Sequence, residues 1–131
     1  MDKNELIEVL NKFPYDRREY WLVTGGAMVL YGIKEETSDI DLGCSSKLAD
    51  ILEKDGLLTG RTEDGNRRFS YGDKIEVFEN WLSGSIMEAE GIRAVSLDGL
   101  IEMKLNLGRE KDLKDIELIK RNMNSKEEDE K

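Results

Sequence analysis

Apolar positions along the chain switch between helical and strand spacing several times, and turn residues separate the switches. Leu6, Leu10 and Phe13 recur on one helical face, Asp2 and Glu5 form a capping-box pair ahead of them, and Pro14 ends the helix. Tyr20-Trp21-Leu22-Val23, aromatic and β-branched, reads as a short buried strand; Ala27 to Tyr31 reads as a helix, with Gly25-Gly26 turning the chain between them. Alternation in Ser38-Asp39-Ile40-Asp41-Leu42 and in Lys74-Ile75-Glu76-Val77-Phe78 predicts two more strands, each with one apolar and one acidic face. Lys47 to Lys54 carries Leu48, Ile51 and Leu52 at helical spacing and closes at Gly56. Leu58 to Thr62 and Arg67 to Tyr71 form a predicted hairpin about Asp64-Gly65, and Gly72-Asp73 leads into the strand of Glu76. Arg61, Arg67 and Arg68 on that hairpin are expected to be solvated edge charges.

Beyond Ile92-Arg93-Ala94-Val95 the pattern predicts two helices, with Ser96 as N-cap of the first and Gly108 as the break between them. Leu97, Leu100 and Ile101 lead by helical spacing to Lys104, a lysine on an apolar stripe. Two readings of it stand level: a buried stem with the ammonium reaching water, or a contact to a phosphate. Leu113, Ile116 and Ile119 form the expected packing stripe of the last helix; Lys111 and Asp115 form an expected i,i+4 pair, and Asp112 and Asp115 are expected to be structural. The fold class is therefore α/β, of the α+β kind: a mixed β-sheet flanked by helices. Residues 1–123 make a single domain, and the almost wholly charged stretch 124–131 is expected to be a disordered tail.

Composition narrows the chemistry. At 131 residues the chain can bury a real core but is too short for a large additional substrate-binding domain, so acceptor binding through a partner subunit or a homo-oligomer stays open. With 29 acidic against 20 basic residues the net charge is −9, which argues against a broad nucleic-acid surface. No histidine is present, which excludes imidazole acid–base chemistry, histidine-ligated zinc and the common hydrolase triads. Cys44 is the only cysteine, so no intrachain disulfide forms, and it is expected to be a small core residue. No signal peptide or long apolar run is evident, and a cytoplasmic setting without membrane association is expected.

What remains is carboxylate and metal chemistry. Without a Cβ at Gly25 or Gly26, a phosphate can come close to the backbone at a strand-to-helix turn. Asp39 and Asp41 share one strand face, where two charges about 4 Å apart repel by roughly 4 kcal/mol at an effective dielectric near 20, a sign that a divalent cation reverses. Oxygen-only ligands suit Mg²⁺ or Mn²⁺. Glu76 adds a third acid on a second strand, as a reaction that activates an acceptor hydroxyl against a nucleotide α-phosphate requires.

The run from Val23 through Leu42, with Glu76 as a late acid, resembles the nucleotidyltransferase superfamily, which includes DNA polymerase β-like enzymes and antibiotic nucleotidyltransferases. The family pattern is a hydrophobic strand, Gly-Gly or Gly-Ser, a helix, a paired acid, and a lone acid on a later strand. It is met here by Gly25-Gly26, by Asp39 and Asp41 after Thr37-Ser38, and by Glu76. Lys104, followed by Arg109-Glu110-Lys111-Asp112 and Asp115-Ile116, resembles the C-terminal pattern of small bacterial members of the lincosamide and toxin–antitoxin-associated kinds. The resemblance covers about residues 20–120. It implies transfer of a nucleoside monophosphate from an NTP, with ATP the expected donor, to a hydroxyl of a small molecule or partner protein, with release of pyrophosphate. Asp39, Asp41 and Glu76 would be catalytic and metal-binding, and Gly25, Gly26 and Lys104 nucleotide-binding. Two positions depart from the family. Gly26 stands where many members carry a phosphate-contacting serine, which implies a weaker triphosphate grip, and Glu76 stands where aspartate is common. The alternative reading is a catalytically silent nucleotide-binding or antitoxin-like partner subunit; a purely structural acidic domain is a third.

Overall fold

The computed structural model describes the backbone of residues 1–129 and side chains through residue 124. Its helices are α1 (Lys3–Lys12), α2 (Thr24–Leu30), α3 (Ser46–Lys54), α4 (Leu97–Leu107) and α5 (Glu110–Asp129). Its strands are β1 (Tyr20–Val23), β2 (Ile40–Cys44), β3 (Leu58–Arg61), β4 (Arg67–Tyr71), β5 (Ile75–Glu79), β6 (Ile86–Ala89) and β7 (Ile92–Val95). The strands make one mixed sheet in the order β3-β4-β5-β2-β1-β7-β6. Central β2 runs antiparallel to β1 and parallel to β5. The α+β expectation of a mixed sheet flanked by helices therefore holds.

Local rules account for the boundaries. The Asp2 side chain accepts the Glu5 N–H and Glu5 reaches back to Asp2, so α1 begins with a complete capping box. Ser45 and Ser96 cap α3 and α4 through the Leu48 and Gly99 amides. Gly108, at φ +63°, takes the left-handed position that ends α4. Strand β6 is not announced by the apolar pattern. It is an edge strand whose residues are all at least partly exposed, and it returns to β7 through Glu90 and Gly91, both at positive φ. Such a turn normally signals itself with Asn-Gly or Asp-Gly.

The pleat sorts the sheet into two faces. Tyr20, Leu22, Ile40, Leu42, Cys44, Phe69, Ile75 and Val77 are buried on one of them. On that side Leu6 of α1 and Leu22 press on Gly26 of α2, and Asp50 and Glu53 of α3 receive Arg67. Arg67 is thus not a solvated edge charge. Its guanidinium is held by the buried Glu79 at 2.6 and 3.1 Å and is only 12% exposed. Burial pushes the Cys44 thiol up to about 12, so it is an inert core group.

The C-terminal helices correct two expectations. Ile116 and Ile119 of the expected stripe are buried, and Asp112 and Asp115 turn inward as the structural groups expected, but Leu113 is 53% exposed. The reason is Lys104, whose buried ammonium draws the two carboxylates to the α4–α5 contact. Asp115 accordingly pairs with Lys104 and Lys34 rather than with Lys111. Helix α5 also runs to Asp129, through most of the stretch expected to be disordered; Glu130 and Lys131 lie outside the described residues. Its Lys and Glu content is compatible with helix continuation. No helix among the described residues is long and apolar enough to cross a membrane.

Candidate active site

The opposite face of the sheet carries Asp41 and Gly43 of β2, Glu76 and Phe78 of β5, Arg68 and Ser70 of β4, and Trp21 of β1. Register, not sequence distance, brings the acids together. Asp41 is directly paired with Glu76 across the parallel β2–β5 ladder, and with Val23 across β1. Asp39 lies just before β2 and is exposed. All three acids line a recess of about 270 Å³, shared with Ser70 and Lys74.

Asp39 and Asp41 also line a larger cleft of about 510 Å³ with Thr24, Gly25, Lys34, Lys104, Arg109 and Lys111. One wall of that cleft is acidic and the other basic. The basic wall is an ion network: Lys104 Nζ lies 2.9 Å from Asp115 and 3.4 Å from Asp112, and Lys34 Nζ lies 2.9 Å from Asp115. The Arg109 guanidinium grips Asp112 through two nitrogens at 2.6 and 3.2 Å. Hydrogen bonds from Arg109 hold the Asp112 carboxyl below the usual range. Burial acts to raise Asp115, but Lys104 and Lys34 outweigh it and leave its pKa lowered. Lys104 lines the cleft without reaching bulk water, so the snorkelling reading does not hold.

Asp41 is in the reverse situation. Burial raises its pKa, Glu76 and Asp39 add to the rise, and a hydrogen bond from the Thr24 hydroxyl at 3.1 Å opposes it. Asp41 and Glu76 stand side by side in register, with Asp39 on the same recess, and a cation bound by two of these carboxylates would relieve their repulsion. Among the described residues no three acidic or cysteine side chains are placed to hold one metal ion together. A cation such as Mg²⁺ needs only one or two carboxylates and keeps several waters.

Two features, Thr24 and Gly43, carry no reading from the sequence, and a third, Arg68, expected as a solvated edge charge, turns to the site instead. Thr24 is β-branched yet sits at φ +52°, a costly conformation that sets its hydroxyl on Asp41. Its only sequence sign is its place between the strand and Gly25. Gly43 allows the Trp81 carbonyl and the Trp21 indole to meet over the sheet in a 2.8 Å hydrogen bond, where a Cβ would overlap both groups. Arg68 stands 3.7 Å from Glu76 and stacks on Phe78 at 5.3 Å from the ring centre.

The glycine pair lies within the first turn of α2, which already begins at Thr24 rather than at Ala27, and it separates into two jobs. Gly25 lines the cleft, and a Cβ there would crowd Thr37 Oγ1 at 2.9 Å, the hydroxyl that donates to the Asp39 carbonyl. Gly26 is buried, and a Cβ there would point at Leu22 and Leu6. A serine side chain at residue 26 would therefore start into the core, so the missing hydroxyl is not one aimed at this cleft.

No family model and no curated relative matches the sequence. Similarity appears in three dimensions. A Thermotoga maritima protein provisionally named a nucleotidyltransferase superposes with a TM-score of 0.60 at 19% identity, over 95% of this chain and 96% of that one. ANT(2″)-Ia, solved in complex with adenylyl-2″-tobramycin, superposes with a TM-score of 0.59 at 15% identity, over 95% of this chain and 88% of that one. The architecture just described is thus the one those two proteins share.

Proposed function

From a nucleotidyltransferase fold with an acidic and a basic wall on one cleft, we propose that the chain is a metal-dependent nucleotidyltransferase. It moves a nucleoside monophosphate from an NTP, ATP first among them, to a hydroxyl of a small molecule or partner protein. The observation that carries this reading is the pairing of Asp41 with Glu76 in register, with Asp39 on the same recess and the cations across from them.

Gly25 leaves the first turn of α2 open to the triphosphate, with Gly26 seating that turn against the core. Lys34, Arg109 and Lys111 offer positive charge to phosphate oxygens, while Lys104, pinned by Asp112 and Asp115, orients that wall. Asp39 and Asp41 are the carboxylates that would hold Mg²⁺ (or Mn²⁺), which supplies charge neutralisation for the triphosphate and the departing pyrophosphate. Glu76 takes the proton of the acceptor hydroxyl. The acceptor oxygen forms a bond to the α-phosphorus as the bond to the α,β-bridging oxygen breaks, and pyrophosphate leaves with that electron pair. The adenylylated small molecule named with ANT(2″)-Ia is a product of this chemical type.

Label transfer tests the reading. With Mg²⁺ and a pool of small-molecule metabolites, α-labelled ATP is expected to yield a labelled product and γ-labelled ATP labelled pyrophosphate only. Label carried into product from the γ position would replace nucleotidyl by phosphoryl transfer.

A further inference from the structure

A second recess of about 500 Å³ opens on the same face, lined by Thr62, Asn66, Phe78, Asn80, Trp81 and Leu107 among others. Trp81 and Leu107 also line the donor cleft, so the two spaces adjoin across that pair. Phe78 follows Glu76 by two residues on the same strand and the same face, a separation of about 7 Å. A molecule resting on Phe78 is therefore within reach of Glu76.

The lining specifies the guest. The Phe78 and Trp81 rings meet edge to face, with centres 5.0 Å apart, and both line the recess with aromatic carbon, beside the Arg68 guanidinium that lies over Phe78. Asn66 and Asn80 supply neutral amides, and their side chains are 3.5 Å apart. Glu79 is neutralised by Arg67, and Arg68 is engaged with Glu76 and the Phe78 ring. Asp64, on the hairpin turn, is the one charged lining group without an ion-pair partner among the described residues. The recess thus has neither the cations to hold an anion nor the several acids that a polycation calls for.

We infer that this recess is the acceptor site and that its acceptor is a neutral ring compound bearing hydroxyl groups, such as a glycoside, stacked on Phe78 and Trp81 with one hydroxyl directed to Glu76. The assignment rests on the donor-cleft reading above.

The test follows the two tryptophan indole N–H signals of the full chain by NMR. The probes are phenyl β-glucoside as neutral ring, tobramycin as polycation, and Mg²⁺ with a non-hydrolysable ATP analogue. Phenyl glucoside is expected to shift the Trp81 signal saturably, with and without the analogue bound, and Phe78→Leu to weaken that binding about tenfold. Asn66→Ala, on the polar wall, is expected to weaken it as well. Absence of a Trp81 shift, an unchanged affinity in both variants, or binding of tobramycin alone would overturn the inference. Displacement of the glucoside by the analogue would give the recess to the nucleotide base and overturn it too. Glucoside binding in a protein that takes up no metal–nucleotide would overturn the acceptor role through its premise, and so marks a failure of the donor reading rather than of the recess chemistry.

Discussion

Asp41 carries the strongest conflict between stability and chemistry in the molecule. It is a half-buried carboxylate with Glu76 beside it and Asp39 two residues before it, and its pKa is raised. A raised pKa on an acid means that the folded state disfavours the charge, so the metal-free fold loses stability as pH rises and Asp41 ionises. Asp41→Asn is therefore expected to raise the melting temperature of the metal-free protein at neutral pH, by the equivalent of about 0.5–2 kcal/mol, while removing metal-dependent nucleotide binding. Thermal melts with a chelator present check the first half. A lower melting temperature for the variant would mean that Asp41 supports the fold rather than straining it.

The α4–α5 pair shows how an element is oriented by charge. Helical spacing places Leu113, Ile116 and Ile119 on one stripe, and the two isoleucines are buried, yet Leu113 stays exposed while the helix satisfies Lys104 with Asp112 and Asp115, because a buried ammonium without partners costs more than an exposed leucine. Removing Lys104 leaves two buried carboxylates uncompensated. Lys104→Met is expected to cost about 3 kcal/mol in chemical denaturation, which makes it a poor probe of nucleotide contact. Lys111 is exposed and lines the same cleft. Lys111→Ala is expected to leave stability within about 0.5 kcal/mol of the parent and to weaken nucleotide binding several-fold. Equal stability of parent and Lys104→Met would remove the network from the account.

At the scale of the whole molecule, the mixed sheet and the order glycine turn, paired acid, late acid were legible because alternation and turn residues are local signals. The meeting of Asp41 with Glu76 was half legible: both strands could be read, but their parallel register is a long-range fact. Thr24 and Gly43 left almost no local trace, since one acts through a strained φ and the other by making room for Trp21 and Trp81. Arg67 was misread because its partner Glu79 is twelve residues away, across a strand pair.

That buried pair also sets the acid limit of the fold. Hydrogen bonds from Arg67 hold the Glu79 carboxyl at about 2 against an ordinary 4.5, which corresponds to on the order of 3 kcal/mol of stability. A depressed pKa stabilises above the unfolded value and fails as pH drops through the folded one. Stability is therefore expected to fall between pH about 4.5 and about 2, with Asp112 and Asp115 adding in the same direction. Glu79→Gln should flatten that fall in an acid titration followed by circular dichroism; an unchanged profile would contradict it.

The most direct measurement of the central claim is a calorimetric titration of Mg²⁺ with a non-hydrolysable ATP analogue into the parent and into the Asp39→Asn, Asp41→Asn double variant. The account predicts saturable, metal-dependent binding in the parent and none in the double variant, with both remaining folded. Binding of equal strength in both, or in neither, would contradict it.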